Sequence, residues 1–160
     1  MNNTLVFIHG LESTAKGAKG RYFSKNFPRM IIENYTGGFA ARMTKLHQIL
    51  AGEKDLIIVG SSYGGLMAVT YAMENAKRVK KLILLAPALN LAEFKPYLEK
   101  SLSIPVIVYH GNEDDVVDPK IVRKISKKCF KILKYHLVED DHPLHKTFTL
   151  LNWKRLLLTD

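Results

Sequence analysis

The chain is poor in cysteine, has no long hydrophobic run and carries no glycine-rich phosphate cradle, and each absence removes a class of function. The single cysteine, Cys129, cannot close an internal disulfide, so the fold has to hold by packing alone. Met1-Asn2-Asn3-Thr4 and the short apolar run behind it lack the charged start and long apolar stretch of a secretory signal, and a cytoplasmic location is the expectation. No run approaches the ~18 apolar residues of a membrane-spanning helix. The richest, 82–92, is interrupted by Pro87 and Asn90, so no membrane insertion is expected. Neither G-x-G-x-x-G nor G-x-x-x-x-G-K-[ST] occurs, which leaves a nucleotide cofactor without support.

What remains suits one globular unit. At 160 residues and 47% hydrophobic content the chain can bury a sizeable core, and without repeats, low-complexity tracts or linkers a single domain over 1–160 is expected. The formal net charge of +9 raises the question of a nucleic-acid or anionic-membrane partner. The charge is not one tract. Lys120, Arg123, Lys124, Lys127, Lys128 and Lys131 interleave with Ile121, Val122, Ile125 and Phe130, the pattern of an amphipathic helix with a solvated basic face. No nucleic-acid-binding motif accompanies them, so no nucleic-acid partner is expected.

Strand and helix signals alternate from end to end. Expected strands are Leu5–His9, Met30–Tyr35, Asp55–Gly60, Lys81–Ala86, Pro105–His110 and Lys134–Val138, mostly continuous Ile/Val/Leu runs that suit a sheet buried on both faces. Expected helices lie near Lys19–Asn26, Phe39–Leu50, Gly64–Lys77, Leu91–Lys100, Pro119–Cys129 and Pro143–Leu158. The fold class is therefore α/β, a three-layer doubly wound arrangement around a mostly parallel six-stranded sheet. The 87–104 connection has room for one short helix and no cap, which implies an open cleft.

The most informative segment is Gly60-Ser61-Ser62-Tyr63-Gly64-Gly65, set between the apolar run 55–59 and a helix-compatible stretch. A serine on a sharp strand-to-helix turn has its Oγ lifted clear of the backbone, beside the positive end of the helix. Such a turn tolerates almost no side chain two positions before or after the nucleophile. Ser62 has Gly60 and Gly64 there, whereas Ser61 would have Val59 and Tyr63, so Ser62 is the candidate.

A serine alcohol needs a base, and the base needs a partner that fixes its tautomer. After the strand ending at His110 come Asp114, Asp115 and Asp118, the last better explained as a helix cap before Pro119. After the last strand come Asp140, Asp141, His142 and His145. His142 falls in a loop that can reach back over Ser62, while His145 falls in the first turn of the next helix. His9, His110 and His136 read as structural, the first two closing strands where they can order loops. His142 and His145 have no third ligand near them other than Asp140 or Asp141, so no metal is expected.

These blocks, Phe7-Ile8-His9-Gly10-Leu11-Glu12-Ser13, Gly60-Ser61-Ser62-Tyr63-Gly64-Gly65, His110-Gly111-Asn112-Glu113-Asp114-Asp115-Val116-Val117 and Asp141-His142, resemble in kind and order a small, lidless α/β-hydrolase of the serine esterase type, such as the compact bacterial esterases. The resemblance spans nearly the whole chain. It implies a Ser62, Asp114, His142 triad, with Asp114 chosen because the acid of that family lies three residues before a valine, here Val117. It also implies an oxyanion hole from the backbone N–H groups of Tyr63 and Leu11. Many relatives carry a glycine shortly before the histidine, where this chain has Glu139-Asp140-Asp141. The expected activity is cofactor-free hydrolysis of short-chain carboxylic esters through an acyl-enzyme, in a shallow groove that Leu11, Tyr63, Leu89 and Phe94 would line. The alternatives are an acyl thioesterase, for which Lys16, Lys19 and Arg21 could attract phosphates, and a non-catalytic protein that binds through its basic face.

Overall fold

A computed structural model describes residues 2–158, with Met1, Thr159 and Asp160 outside it. Strands β1 (Thr4–Ile8), β2 (Ile31–Ile32), β3 (Leu56–Ser61), β4 (Val79–Leu85), β5 (Leu102–Gly111) and β6 (Phe130–Val138) form one sheet in the order β2-β1-β3-β4-β5-β6. Every neighbouring pair is parallel. The helices are α1 (Ala18–Asn26), α2 (Phe39–Ile49), α3 (Tyr63–Glu74), α4 (Pro119–Cys129), α5 (His145–Leu150) and α6 (Trp153–Leu158), with 3₁₀ segments at Ala76–Arg78 and Ala92–Tyr97. None of the helices described is long and apolar enough to cross a membrane.

The strands bury both faces because apolar residues occupy both alternating sets. Val6, Ile8, Leu56, Ile58, Leu82 and Leu84 point to one core with α2, α3 and α4. Phe7, Ile57, Val59, Ile83 and Leu85 point to the other, closed by Phe23 of α1, Phe148 of α5 and Trp153 and Leu157 of α6. Helix α4 has the amphipathic form expected, with Val122, Ser126 and Cys129 buried and the lysines outside. Asp118 caps it through Lys120 N–H at 2.8 Å.

Three elements differ most from the sequence expectation, each for a local reason, while β5 and β6 begin three and four residues earlier than expected. The strand expected at Met30–Tyr35 shrinks to two residues, its tail diverted so that Tyr35 N–H donates to His9 Nε2 at 2.9 Å. The helix expected at Leu91–Lys100 is a 3₁₀ segment containing Pro96, whose missing N–H cannot support an α-helix. The helix expected at Pro143–Leu158 is two. Leu151 is extended, and Asn152 Oδ1 accepts from Arg155 N–H at 3.0 Å and starts a second helix. Pro105 lies inside β5, but β4 pairs with β5 only from Val106 onward, so the lost donor breaks no ladder on that side.

Candidate active site

The strand order reverses direction of growth at β1 and β3, the point where open α/β sheets leave a crevice at their carboxyl ends. Ser62 sits there, between β3 and α3, at φ 54° and ψ −114°, a conformation that costs a non-glycine residue free energy. The surroundings over-determine it. Ser62 N–H donates to Leu85 O at 2.8 Å, and Ser62 C=O accepts from the N–H groups of Gly65, Leu66 and Ala88 at 2.9, 3.2 and 3.0 Å. The two glycines that select Ser62 over Ser61 face backbone. A Cβ on Gly60 would lie 2.5 Å from Gly64 O, and one on Gly64 would lie 2.1 Å from Ile8 O.

The loops after β5 and β6 bring the other two expected residues to this serine. His142 Nε2 is 3.0 Å from Ser62 Oγ, and His142 Nδ1 is 2.6 Å from Asp114 Oδ2. With its proton on Nδ1, the imidazole donates to the carboxylate and accepts from the hydroxyl. Asp114 Oδ1 accepts from Val116 and Val117 N–H at 2.9 and 2.8 Å. Burial pushes the Asp114 carboxyl up, but the Val117 amide, His142 and the Val116 amide outweigh it and hold it below the usual value. Asp115 is exposed.

His145 is occupied elsewhere, its Nδ1 2.5 Å from Asp141 Oδ2. That contact, with the His145 amide, takes the Asp141 carboxyl down to about 2. Asp140, buried, takes the N–H groups of Lys146 and Thr147 on Oδ2 at 3.1 and 2.7 Å and that of Asp141 on Oδ1 at 2.8 Å. The Asp140-Asp141 pair thus shapes the loop that carries His142, by capping the first turn of α5. Lys19 Nζ closes the loop from the α1 side, donating to Pro143 O at 2.6 Å.

Two histidines read as structural prove to touch the constellation from behind. His110, fully buried, has Nε2 3.0 Å from both Asp114 Oδ2 and Val117 O, so as a neutral donor it gives the carboxylate a second histidine partner. His9 has Nδ1 2.7 Å from Gly10 O while Nε2 accepts from Tyr35 N–H. The Gly10 carbonyl is also met by Ser13 N–H at 3.3 Å. Since a trans peptide points its C=O and N–H in opposite directions, pinning Gly10 O also sets the direction of Leu11 N–H. Neither Leu11 N–H nor Tyr63 N–H, the first of α3, has an acceptor among the described residues. Gly10 is close to the serine: a Cβ there would lie 3.5 Å from Ser62 Cβ.

A cavity of about 570 Å³ opens over Ser62 and His142, walled by Leu11, Tyr63, Ala88, Leu91 and Val116. Leu11 and Val116, 51% and 65% exposed, give it an apolar rim. Leu89 and Phe94, expected on this wall, are instead buried in the core against α3 and do not reach the cavity. The 3₁₀ geometry of 92–97 turns Phe94 inward, and the neighbours Ala88 and Leu91 form the surface. Among the described residues no three His, Cys, Asp or Glu side chains are grouped to hold a metal ion.

The buried histidines predict how stability depends on pH. Burial lowers the His9 and His110 values, outweighing the Gly10 carbonyl on the first and the Val117 carbonyl and Asp114 on the second, so both stay neutral when folded. The unfolded chain takes up protons below about pH 6.5 that the folded one resists. Stability is then complete above that value and falls as the pH drops toward the folded values, with Asp114 adding a further loss in stronger acid. Thermal unfolding should give a lower Tm at pH 5 than at pH 7.5, and an unchanged or higher Tm would contradict the assignment.

Comparisons with known proteins agree with this architecture. A predicted CIB-like hydrolase from Thermoplasma acidophilum superposes with a TM-score of 0.75 at 17% identity, over 98% of this chain and 86% of that one. Est1E from Butyrivibrio proteoclasticus, solved with ferulic acid bound, gives 0.74 at 15% identity over 93% and 84%. Alpha/beta hydrolase domain-containing protein 10 from mouse gives 0.74 at 18% over 99% and 88%. At these identities the likeness is one of fold. No curated protein matches the sequence. A family model does match, over residues 9–102, a stretch that carries the His9-Gly10 loop and the Ser62 elbow, and by that match the chain belongs to the alpha/beta hydrolase fold family.

Proposed function

We propose that this hydrolase is a serine carboxylesterase acting on short-chain esters through an acyl-enzyme. The observation that carries the reading is the unbroken hydrogen-bonded chain from Ser62 Oγ through His142 to Asp114 Oδ2 at 3.0 and 2.6 Å. Ser62 Oγ attacks the ester carbonyl while His142 Nε2 takes its proton. The oxyanion forms against the N–H groups of Leu11 and Tyr63, both without an acceptor among the described residues and both at the cavity wall. Collapse expels the alcohol, which receives the proton back from His142. Water then repeats the sequence on the acyl-enzyme. Asp114, held ionised by two amides and two histidines, steadies the imidazolium without taking its proton.

The apolar rim and the limited cavity direct the choice of substrate. Each methylene placed against apolar wall contributes at most ~0.8 kcal/mol, and the gain stops when the chain outgrows the cavity. Across p-nitrophenyl esters, kcat/KM should peak at acyl lengths of about two to six carbons and vanish in Ser62→Ala. Absence of any Ser62-dependent turnover would refute the hydrolase reading. A rate still climbing through long-chain acyl thioesters would transfer the same atoms to a thioesterase.

A further inference from the structure

Arg42 is a buried cation without an anion. It projects from α2, is 5% exposed, and has no carboxylate within ion-pair distance among the described residues. Its Nε donates to Gly37 O at 2.9 Å and one Nη donates to Leu11 O at 3.4 Å. The other Nη has no hydrogen-bond partner among the described residues. The guanidinium carbon lies 5.4 Å from the centre of the Tyr63 ring, a cation–π contact. Packing alone would be better served by an apolar side chain, since removing an uncompensated charge from water is unfavourable.

The placement gives the charge a use. The one guanidinium touches both residues whose N–H groups face the reacting carbonyl, and touches neither N–H. On Leu11 it holds the carbonyl, while His9 holds the carbonyl of Gly10, so the peptide planes on both sides of the Leu11 Cα are fixed. On Tyr63 it holds the ring of the residue whose amide opens α3. Its charge acts with the burial that lowers the His9 value and against the burial that raises that of Tyr63. A buried positive charge in contact with both residues favours negative charge at their amides, and it needs no reorganisation when that charge appears.

We propose that Arg42 is a positioning residue for the oxyanion site, fixing Leu11 and Tyr63 and supplying an uncompensated positive charge behind their amides. This rests on the serine hydrolase reading above. Because the oxyanion exists in the transition state and only weakly in the bound ester, loss of Arg42 acts on kcat and leaves KM nearly alone.

The test compares wild type, Arg42→Met, Arg42→Lys and Ser62→Ala, with kcat and KM on p-nitrophenyl butyrate, Ki for an alkyl boronic acid and Tm for each. Methionine keeps the apolar stem and removes the charge. Arg42→Met should lose about 10²-fold in kcat with KM within about twofold, weaken boronic acid inhibition by a similar factor and keep its Tm. Lysine, whose single ammonium cannot hold Gly37 O and Leu11 O together, should lose at least about fivefold in kcat. A folded Arg42→Met with kcat within about threefold of wild type, or with the whole loss in KM, overturns the proposal. If Arg42→Met does not fold, Arg42→Lys decides by the same split, and a loss below fivefold overturns it. Ser62→Ala keeps the outcomes apart: full turnover in that variant removes the triad reading itself, whereas a dead Ser62→Ala beside an unaffected Arg42→Met removes only the role of Arg42.

Discussion

Replacing His142 by alanine should lower kcat by about four orders of magnitude or more, as expected when a hydrogen-bonded unit loses its base. His145→Ala should cost less than about tenfold. The two lie three residues apart, but their partners differ: His142 spans Ser62 and Asp114, while His145 pairs with Asp141 at the surface. Asp114→Asn should likewise be far more damaging than Asp115→Asn, because an amide presenting its N–H₂ to His142 Nδ1 favours the tautomer that cannot accept from Ser62. Steady-state kinetics on one short ester checks both pairs. A reversed order in either pair would move the assignment to other residues.

The largest effect on folding is expected from Gly64→Ala. An added Cβ would fall 2.1 Å from Ile8 O and 2.6 Å from His9 O, both backbone atoms of β1 and its exit, which no rotamer change relieves. Helix α3, buried along nearly its whole length, would have to withdraw from the sheet. The loss should exceed about 4 kcal/mol, the range of severe backbone and packing conflicts. For a chain of this size that lowers Tm by roughly 10 °C or more. Gly52→Ala is the control, since a Cβ there meets nothing within 4 Å. Thermal unfolding of the two variants should separate them widely, and equal Tm values would contradict the tight packing of the elbow on β1.

What the sequence made legible was whatever a local pattern encodes. The six strands follow from apolar runs, and their two-faced burial from residues such as Val6 and Phe7 being equally apolar. The elbow follows from glycine spacing, although the contacts that require the two glycines differ: Gly60 faces Gly64 and Gly65 of its own turn, whereas Gly64 faces Ile8 and His9 of β1 and its exit. Ser62, Asp114 and His142 each follow a strand, and parallel strands of one sheet bring their carboxyl ends together, but strand position alone left Asp115 beside Asp114, and the family resemblance chose between them.

The misses came where the outcome depended on three-dimensional partners. Nothing in the pattern around Leu89 and Phe94 distinguishes a cavity wall from a core; both turn into the core, and Ala88 and Leu91 line the cavity instead. Arg42 reads as one more surface cation on a lysine-rich chain, and only the fold places it under Leu11 and Tyr63. His110 was legible as structural, but that it shares Asp114 with His142 depends on the turn at 114–117. The Asp140-Asp141 departure likewise became intelligible once Asp140 was seen capping α5.

Whether Ser62 is a nucleophile activated by His142 can be read by labelling the purified protein with a fluorophosphonate and locating the adduct by mass spectrometry. One adduct per chain is expected, on Ser62, absent in Ser62→Ala, strongly slowed in His142→Ala and formed normally in Ser61→Ala. An adduct on Ser61, or no adduct on a folded protein, would contradict it.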